Sequence, residues 1–572
     1  MGANNLTLYE QLRNCQLGEA GLIVGGSEES DPMREGLYVE TNLDKIVRTF
    51  FVDDYKPDGK LLIILGSAGD GKSALLMNWT KRAKASGVTP LPKVHLDATA
   101  SFNPHEQYDI TLNNFLEVAL ENFVNRQGPR NAFAINLGLA INFFETRGYK
   151  NRFPAIWDAI NEVRTKESAE LDNMVIINLS RRDMFDVRPD HMGEGFLLDI
   201  INKFDFSNPN SPFHDAYQKE KESCKDESGC ILYYNASKFT DPTVRKRVAR
   251  VLAARSLITN THLNPRLIIH QVSSILLHPW LRHMEVVDGR CPLCQSGEGA
   301  KQKVGPEHIL WNALFDNETT ANASLAGLID PTAQVNFSLD FWILDLASSP
   351  KELRKKMQDI NGLIKTSKKE RQEVFISTLL RQKYLTGNDP NDTAIESKEF
   401  REFISLYCLL RYDMDQYKGA ASNVNDTLKT ALRCWAGSVD ESHLVKFSDG
   451  YKTPEYEFMS RWEAPTFSLR KSAQKTKESH TIGMVWVVLE LRSQGGREIA
   501  IPLTFDIYLL MQKVIKGYNP SSIDLNRSEG IQLIASRLSD FTAKNDFVRV
   551  VKKDGDHGVV IKVDEFDTIR IE

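Results

Sequence analysis

Apolar positions along the chain follow two rhythms in its first part. Leu61-Leu62-Ile63-Ile64-Leu65 is a continuous apolar run of strand length, and beyond the glycine-rich turn after it Ala74 to Ala85 carries helical spacing. The same alternation recurs downstream. It predicts strands over Lys93 to Asp97, Asn131 to Leu137 and Met174 to Leu179, with helices over Leu112 to Val124 and Pro154 to Val163 between them. An unbroken apolar strand has to be buried on both faces, so the pattern implies a parallel α/β sheet covered by helices on each side, expected over 46–205.

Past that core the pattern turns helical. Asp241 to Ile258 and Pro265 to Leu277 are the clearest amphipathic segments, and they predict a helical lid with cysteine loops over 206–300, followed by a helical domain over 301–480. The end of the chain differs again. Met484 to Leu491 and Arg497 to Leu503 flank Ser493-Gln494-Gly495-Gly496 as a hairpin, and two helical stretches follow. Phe547 to Val551 and Val559 to Val563 flank Asp554-Gly555-Asp556-His557-Gly558 as another, so 481–572 reads as a small α+β domain. Residues 1–45 mix glycine, serine and acidic groups and read as a leader. No internal repeat at a fixed period is visible.

Composition narrows the class. At 572 residues, 41% hydrophobic and 26% charged, with 34 Gly and 22 Pro in no tract, the chain is globular and long enough for several cores. The longest apolar runs are too short to cross a bilayer, and Met1-Gly2-Ala3-Asn4-Asn5-Leu6 offers no apolar signal segment, so no membrane contact is expected. Seven cysteines cannot form a secreted disulfide framework, and the odd count points to a reducing cytoplasm. With a net charge of -5, contact with nucleic acid would have to come from a local basic face.

One motif carries specific chemistry. Gly66-Ser67-Ala68-Gly69-Asp70-Gly71-Lys72-Ser73 matches the phosphate-binding loop pattern and lies between a buried strand and a helix, as the mechanism requires. Glycines let backbone amides curl around a β-phosphate, and the helix N-terminus adds its dipole. Lys72 is expected to reach the β- and γ-phosphates of ATP, and Ser73 to ligate Mg²⁺. Asp70 puts a negative charge in this cradle, which is tolerable if its carboxylate points outward. The fold class expected is therefore an α/β P-loop NTPase core with an AAA-like parallel sheet, a helical lid and helical region, and a C-terminal α+β domain.

Hydrolysis needs a further acid for the metal and a polar group for the attacking water. The third strand in chain order ends in Asn136, where many such ATPases carry an Asp-Glu pair, and no consecutive acidic pair follows any strand. Asp97 is the best Mg²⁺ candidate, with capping of the next turn as the alternative. Asn178, ending the fourth strand, is placed to act as a polar sensor. Arg181 and Arg182 after it read either as groups reaching a neighbouring subunit's nucleotide in a homo-oligomer or as a solvated surface pair. Arg266, in the helix opened by Asn264-Pro265, is a candidate second sensor.

Cys291-Pro292-Leu293-Cys294 has zinc-ligand spacing, and Cys224 with Cys230 supplies a second, wider pair. Either the four share a structural Zn²⁺ or they are unrelated reduced thiols. Cys15, Cys408 and Cys434 stand alone and are expected in cores. Arg245-Lys246-Arg247, Arg250 and Arg255 form one basic run, and Lys365, Lys368, Lys369 and Arg371 a second. Such runs are solvated helix faces or, where they meet DNA, act through its phosphates. No nuclease constellation is present in the pattern.

With these residues in view, the chain resembles the DptF family, the P-loop component of bacterial DNA-phosphorothioation-dependent restriction systems. The resemblance rests on Gly69-Asp70-Gly71-Lys72-Ser73, Asp97-Ala98-Thr99-Ala100-Ser101, Ala134-Ile135-Asn136-Leu137-Gly138, the helix opened by Arg266 and the turn Gly517-Tyr518-Asn519-Pro520. It implies a cytoplasmic ATP-binding, ATP-hydrolysing protein that acts with DptG-like and DptH-like companions against DNA lacking the host's sulfur modification. A nucleotide-gated scaffold without turnover and an AAA-like DNA initiator or loader are the alternative readings. The hairpin-rich ending argues against the latter.

Overall fold

The structure, a computed structural model, describes residues 6–16, 32–97, 108–223, 230–293, 304–316, 329–332, 371–387, 397–412 and 418–435, a few residues inside these stretches excepted, then the strands and helix between 444 and 571 and a few isolated positions. The chain divides into two compact units. The first comprises Met1–Ser256, Thr261–Glu396 and Thr476–Thr481, and the second Leu257–Asn260, Ser397–Lys475 and Ile482–Glu572.

Unit 1 is built on a mixed, mostly parallel sheet. Its strands are β1 (Leu61–Gly66), β2 (Lys93–His95), β3 (Asn131–Asn136), β4 (Ser168–Leu171) and β5 (Met174–Asn178), in the order β2-β3-β1-β5-β4. The central strand β1 runs parallel to β3, from Leu61↔Asn131 to Gly66↔Asn136, and parallel to β5 on its other side. Its residues alternate between two cores. Leu61, Ile63 and Leu65 pack with the Tyr108–Asn125, Leu137–Thr146 and Pro154–Glu162 helices. Leu62 and Ile64 pack with the Asn42–Phe51 and Lys72–Ala85 helices on the opposite face. That double burial is why β1 reads as an unbroken apolar run.

The expected all-parallel sheet is corrected at one edge, where β4 runs antiparallel to β5. An edge strand needs only one partner, and Ser168-Ala169-Glu170-Leu171, with only Ala169 buried, leaves no apolar run to find. The leader over 1–45 is also corrected where it is described. Leu8, Tyr9 and Leu12 of the Leu8–Asn14 helix are fully buried. Tyr9 donates its hydroxyl to the Leu281 carbonyl and Gln16 Nε2 donates to Leu277, both at 2.6 Å, which fastens this helix beyond the end of the Pro265–Leu276 helix.

In the basic run on the Pro242–Thr259 helix Lys246 is exposed, but the arginines form neither a solvated face nor a phosphate-facing patch. Arg245, Arg247, Arg250 and Arg255 are all buried. Arg245 donates to Asp205 and to the Phe239 carbonyl at 2.9 Å and to the Thr240 carbonyl at 2.7 Å. Arg247 lies over the Tyr384 ring, and burial pushes Arg255 down to about 10. Lys365, Lys368 and Lys369 lie outside the described residues.

Among the described residues, unit 2 includes the helices Lys398–Tyr412, Lys418–Trp435 and Phe505–Ile515. Phe403 meets the Phe505 ring at 5.4 Å, and Tyr508 donates to Glu402 at 2.9 Å. Its strands are β6 (Leu444–Lys446), β7 (Tyr456–Arg461), β8 (Thr466–Lys471), β9 (Val485–Leu491), β10 (Arg497–Pro502), β11 (Phe547–Lys552), β12 (Gly558–Val563) and β13 (Ile569–Ile571). They form the antiparallel sheets β10-β9-β8 and β13-β12-β11-β7-β6. The β9/β10 and β11/β12 pairs match the expected hairpin strands. The helical reading of 301–480 holds for the described helices up to Trp435 but not beyond them, because β6, β7 and β8 fall within it. β6 pairs with β7 and β8 with the next strand β9, while β7 takes its second partner β11 from much later in the chain, which local patterning cannot register. No helix among the described residues is long and apolar enough to cross a membrane.

Candidate functional site

The glycine-rich segment 66–73 leaves the end of β1 and opens the Lys72–Ala85 helix. Gly69 and Gly71 have φ of +89° and +93°, in the left-handed region that favours glycine, and Gly71 is the helix N-cap. A Cβ on Gly69 would also meet Asn264 Oδ1 at 2.9 Å. The first turn of the helix holds no acidic residue. Lys72 Nζ donates to the Ser67 carbonyl at 2.9 Å and the Gly66 carbonyl at 3.2 Å. Ser73 Oγ donates to the Leu96 carbonyl at 2.9 Å.

Asp70 does not point outward, and this expectation is corrected. Its side chain is 2% exposed and turns back beneath the loop. The carboxylate accepts from the Ser67 amide at 2.6 Å and from Ser180 Oγ at 2.5 Å, and His262 Nε2 stands 3.7 Å away. Burial alone would raise this carboxyl, but the nearby His262 and the hydrogen bonds from Ser180 and the Ser67 amide outweigh it and hold it below the ordinary carboxylate value. An acid is tolerated in the loop because its charge is spent on these donors.

A cavity of about 370 Å³ opens over the loop. It is lined by Ala68, Gly69, Asp70, Gly71, Lys72 and Ser73, and also by Asp97, Asn136, Arg182 and Arg266. Gly66 and Ser67 lie at the loop's start, outside this lining. Burial pushes the Lys72 ammonium below its ordinary value and Arg266 adds to the effect, against Asp70 and Asp97, which favour the charged form. The sheet order explains the convergence. β3 stands between β1 and β2, so the loop, Asn136 and Asp97 follow the carboxyl ends of three parallel strands in spatial sequence.

Asn178 is not brought to the cavity. It is fully buried, donates Nδ2 to the Val163 carbonyl at 2.7 Å and accepts from the Ser180 amide at 3.1 Å. It shapes the turn that carries Ser180, and Ser180 is the group from this strand end that reaches the loop. Asn136 takes the cavity position that chain order assigned to Asn178. Its Oδ1 accepts from the Gly138 amide at 3.0 Å as the cap of the next helix. Arg182 is likewise not a surface pair with Arg181, because it lines this chain's own cavity. It donates to the Asp70 carbonyl at 2.8 Å and lies 4.0 Å from the Phe196 ring centroid.

Leu37, Tyr38, Val39 and Thr41, from the expected leader, form one wall of the cavity, and Ile200, Pro265 and Ile269 another. Asp44 is saturated by the Tyr38 hydroxyl, by Trp79 Nε1 at 2.8 Å and by the Thr41 amide at 2.7 Å. Of the residues missed in the sequence, Asn136 had a signal as a polar strand end, whereas Ser180, His262 and Tyr38 had none.

Cys230 and Cys291 are buried, and Cys224 and Cys294 lie outside the described residues. Among the described residues no group of three or more His, Cys, Asp or Glu side chains is arranged to hold a metal ion. Cys15 and Cys408 are buried as expected, but Cys434 is exposed. Compared with known proteins, the chain matches no family model, no curated protein and no solved structure.

Proposed function

We propose that the chain binds ATP with Mg²⁺ in the cavity at the end of β1, as the core of a P-loop NTPase with an AAA-like sheet. The observation that carries this reading is convergence. Lys72 with Ser73, Asp97, Asn136 and Arg266 come from four separate segments and line one cavity over the start of a helix without acidic residues in its first turn. Four cations in the lining, Arg34, Lys72, Arg182 and Arg266, and a helix N-terminus favour a polyanion there, and the apolar walls at Leu37, Val39, Ile200 and Ile269 suit the face of a purine base.

Ser73 and Asp97 fit Mg²⁺, since both offer oxygen donors of the kind a hard cation takes, and the Ser73–Leu96 bond keeps the hydroxyl beside the Asp97 backbone. When bound, the ion would neutralise charge on the β- and γ-phosphates. Lys72 would exchange its bonds to loop carbonyls for phosphate oxygens. Asn136, its Oδ1 held by Gly138, would present Nδ2 to the γ-phosphate or the attacking water. These roles support hydrolysis. Binding without turnover is the second reading, favoured by the lack of an acidic neighbour to Asp97 in the sequence.

The wider role we propose is that of the nucleotide-switched, non-cutting component of a DNA-phosphorothioation-dependent restriction assembly. It acts with DptG-like and DptH-like partners, and with DNA through phosphate contacts. The resemblance at 69–73, 97–101 and 134–138 supports this, and with its arginines buried the Pro242–Thr259 helix offers no arginine face to DNA. Calorimetric titration with ATP and Mg²⁺, followed by turnover with and without DNA, tests it. The restriction role fails if cells carrying only a Lys72→Ala form restrict fully, or if the purified chain cuts DNA alone.

A further inference from the structure

The segment 262–266, which enters the Pro265–Leu276 helix, touches three successive residues of the glycine-rich loop. Asn264 Nδ2 donates to the Ala68 carbonyl at 3.3 Å, and the Arg266 amide donates to the Gly69 carbonyl at 3.4 Å. His262 Nε2 lies 3.7 Å from Asp70 Oδ1. Asn264 also caps its own helix, accepting from the Leu267 amide at 2.8 Å, so the tether and the helix start share one side chain.

Asp70 is the junction of this arrangement. Its buried carboxylate draws on the loop through Ser67, on the end of β5 through Ser180, and on the lid segment through His262. Removing one of the partners of a buried charge is costly, because the charge is then compensated less fully in a medium of low dielectric. A displacement of the lid helix that separates His262 from Asp70 therefore strains the loop, and a change of loop shape pulls on the helix. His262 itself is 45% exposed and does not line the cavity, so its contribution is to this connection.

We infer that Asp70 is a positioning residue that ties the loop to the Pro265–Leu276 helix through His262, so that a nucleotide seated in the loop sets the position of that helix. The inference rests on the nucleotide reading above. Hydrogen exchange of the full chain with and without ATP tests it. ATP should slow exchange across 68–75 and 265–276 in the wild type. His262→Ala should bind ATP within about threefold of wild type, keep the protection at 68–75 and lose it at 265–276. His262→Arg, which restores an N–H donor beside Asp70, should recover it, whereas a merely structural role would shift thermal stability without separating the two segments.

Equal protection of 265–276 in wild type and His262→Ala overturns the inference. If the wild type binds no ATP, the nucleotide reading fails on its own, and the nucleotide-free comparison still decides the tie. His262→Ala should then speed exchange in both segments, and unchanged rates overturn it.

Discussion

Ser73 Oγ donates to the Leu96 carbonyl at 2.9 Å, which joins the first turn of the Lys72–Ala85 helix to the residue immediately before Asp97. The bond links the segments that follow β1 and β2, two strands that are not neighbours, since β3 lies between them. It brings the hydroxyl proposed for Mg²⁺ and the backbone of the proposed acid to one side of the cavity, and it follows from the order of strands in the sheet.

Lys72→Ala should fold normally, because Lys72 bonds only to two loop carbonyls that water can serve in its place. ATP affinity should fall by about 1.5 to 3 kcal/mol, roughly tenfold to a hundredfold, as for loss of a charge-assisted bond. Titration calorimetry, with circular dichroism as the control for folding, reads both quantities.

Asn136 and Asn178 should behave oppositely when replaced by Ala. Asn136 lines the cavity, so its loss should reduce turnover with little change in ATP affinity, and Asp97→Asn should do the same with a raised Mg²⁺ requirement. Asn178 holds Val163 and Ser180 in the interior, so its loss should cost about 1 to 3 kcal/mol of stability. Steady-state kinetics and urea unfolding of each variant separate the two patterns.

Acid should weaken unit 1 before its carboxylates titrate. Burial pushes His95, His270 and His308 down to about 4 from 6.5, with Arg282 adding to the effect at His270 and His278 at His308. The native state therefore holds these rings neutral while the unfolded chain takes up protons. Their contribution is complete above about pH 6.5 and is lost as pH falls toward 4, steepening the slope by at most about 1.4 kcal/mol per pH unit for each ring. Urea unfolding between pH 7 and pH 4.5 should show the fall, and His95→Phe should make it shallower.

Arg245→Ala should destabilise the protein by about 3 kcal/mol, because it leaves Asp205 and the Phe239 and Thr240 carbonyls without their buried donor. The salt dependence of any DNA affinity should not change. Urea midpoints and a salt series of DNA titrations measure the two effects.

A shared zinc is one of the two readings of the paired cysteine spacing. On that reading, metal analysis of protein purified without chelator should find zinc in stoichiometric amount, and Cys291→Ser should lose it. Metal-free wild-type protein would instead assign Cys224, Cys230, Cys291 and Cys294 to separate thiol roles.

The loop was legible in the sequence because its chemistry is contiguous. Strand, glycines, Lys72 and Ser73 follow one another, and each needs only its neighbours to be recognised. The central strand was legible for a related reason, since burial on both faces leaves a run of consecutive apolar residues. The C-terminal hairpins share that locality: β9 with β10 and β11 with β12 pair across short intervening segments.

What escaped the pattern depends on contacts between distant segments. Numbering strands along the chain assigned the polar sensor to Asn178, but lateral order in the sheet gives the cavity position to Asn136 and seals Asn178 inside. Asp70 reads as a misplaced charge until Ser180 and His262 are seen to close on it. The arginines of the Pro242–Thr259 helix read as a solvated face until Asp205 and Tyr384 enclose them. Local sequence encodes each element's spacing and its contiguous motif. The partners that satisfy a buried charge come from chain segments far removed, and no short-range pattern contains them.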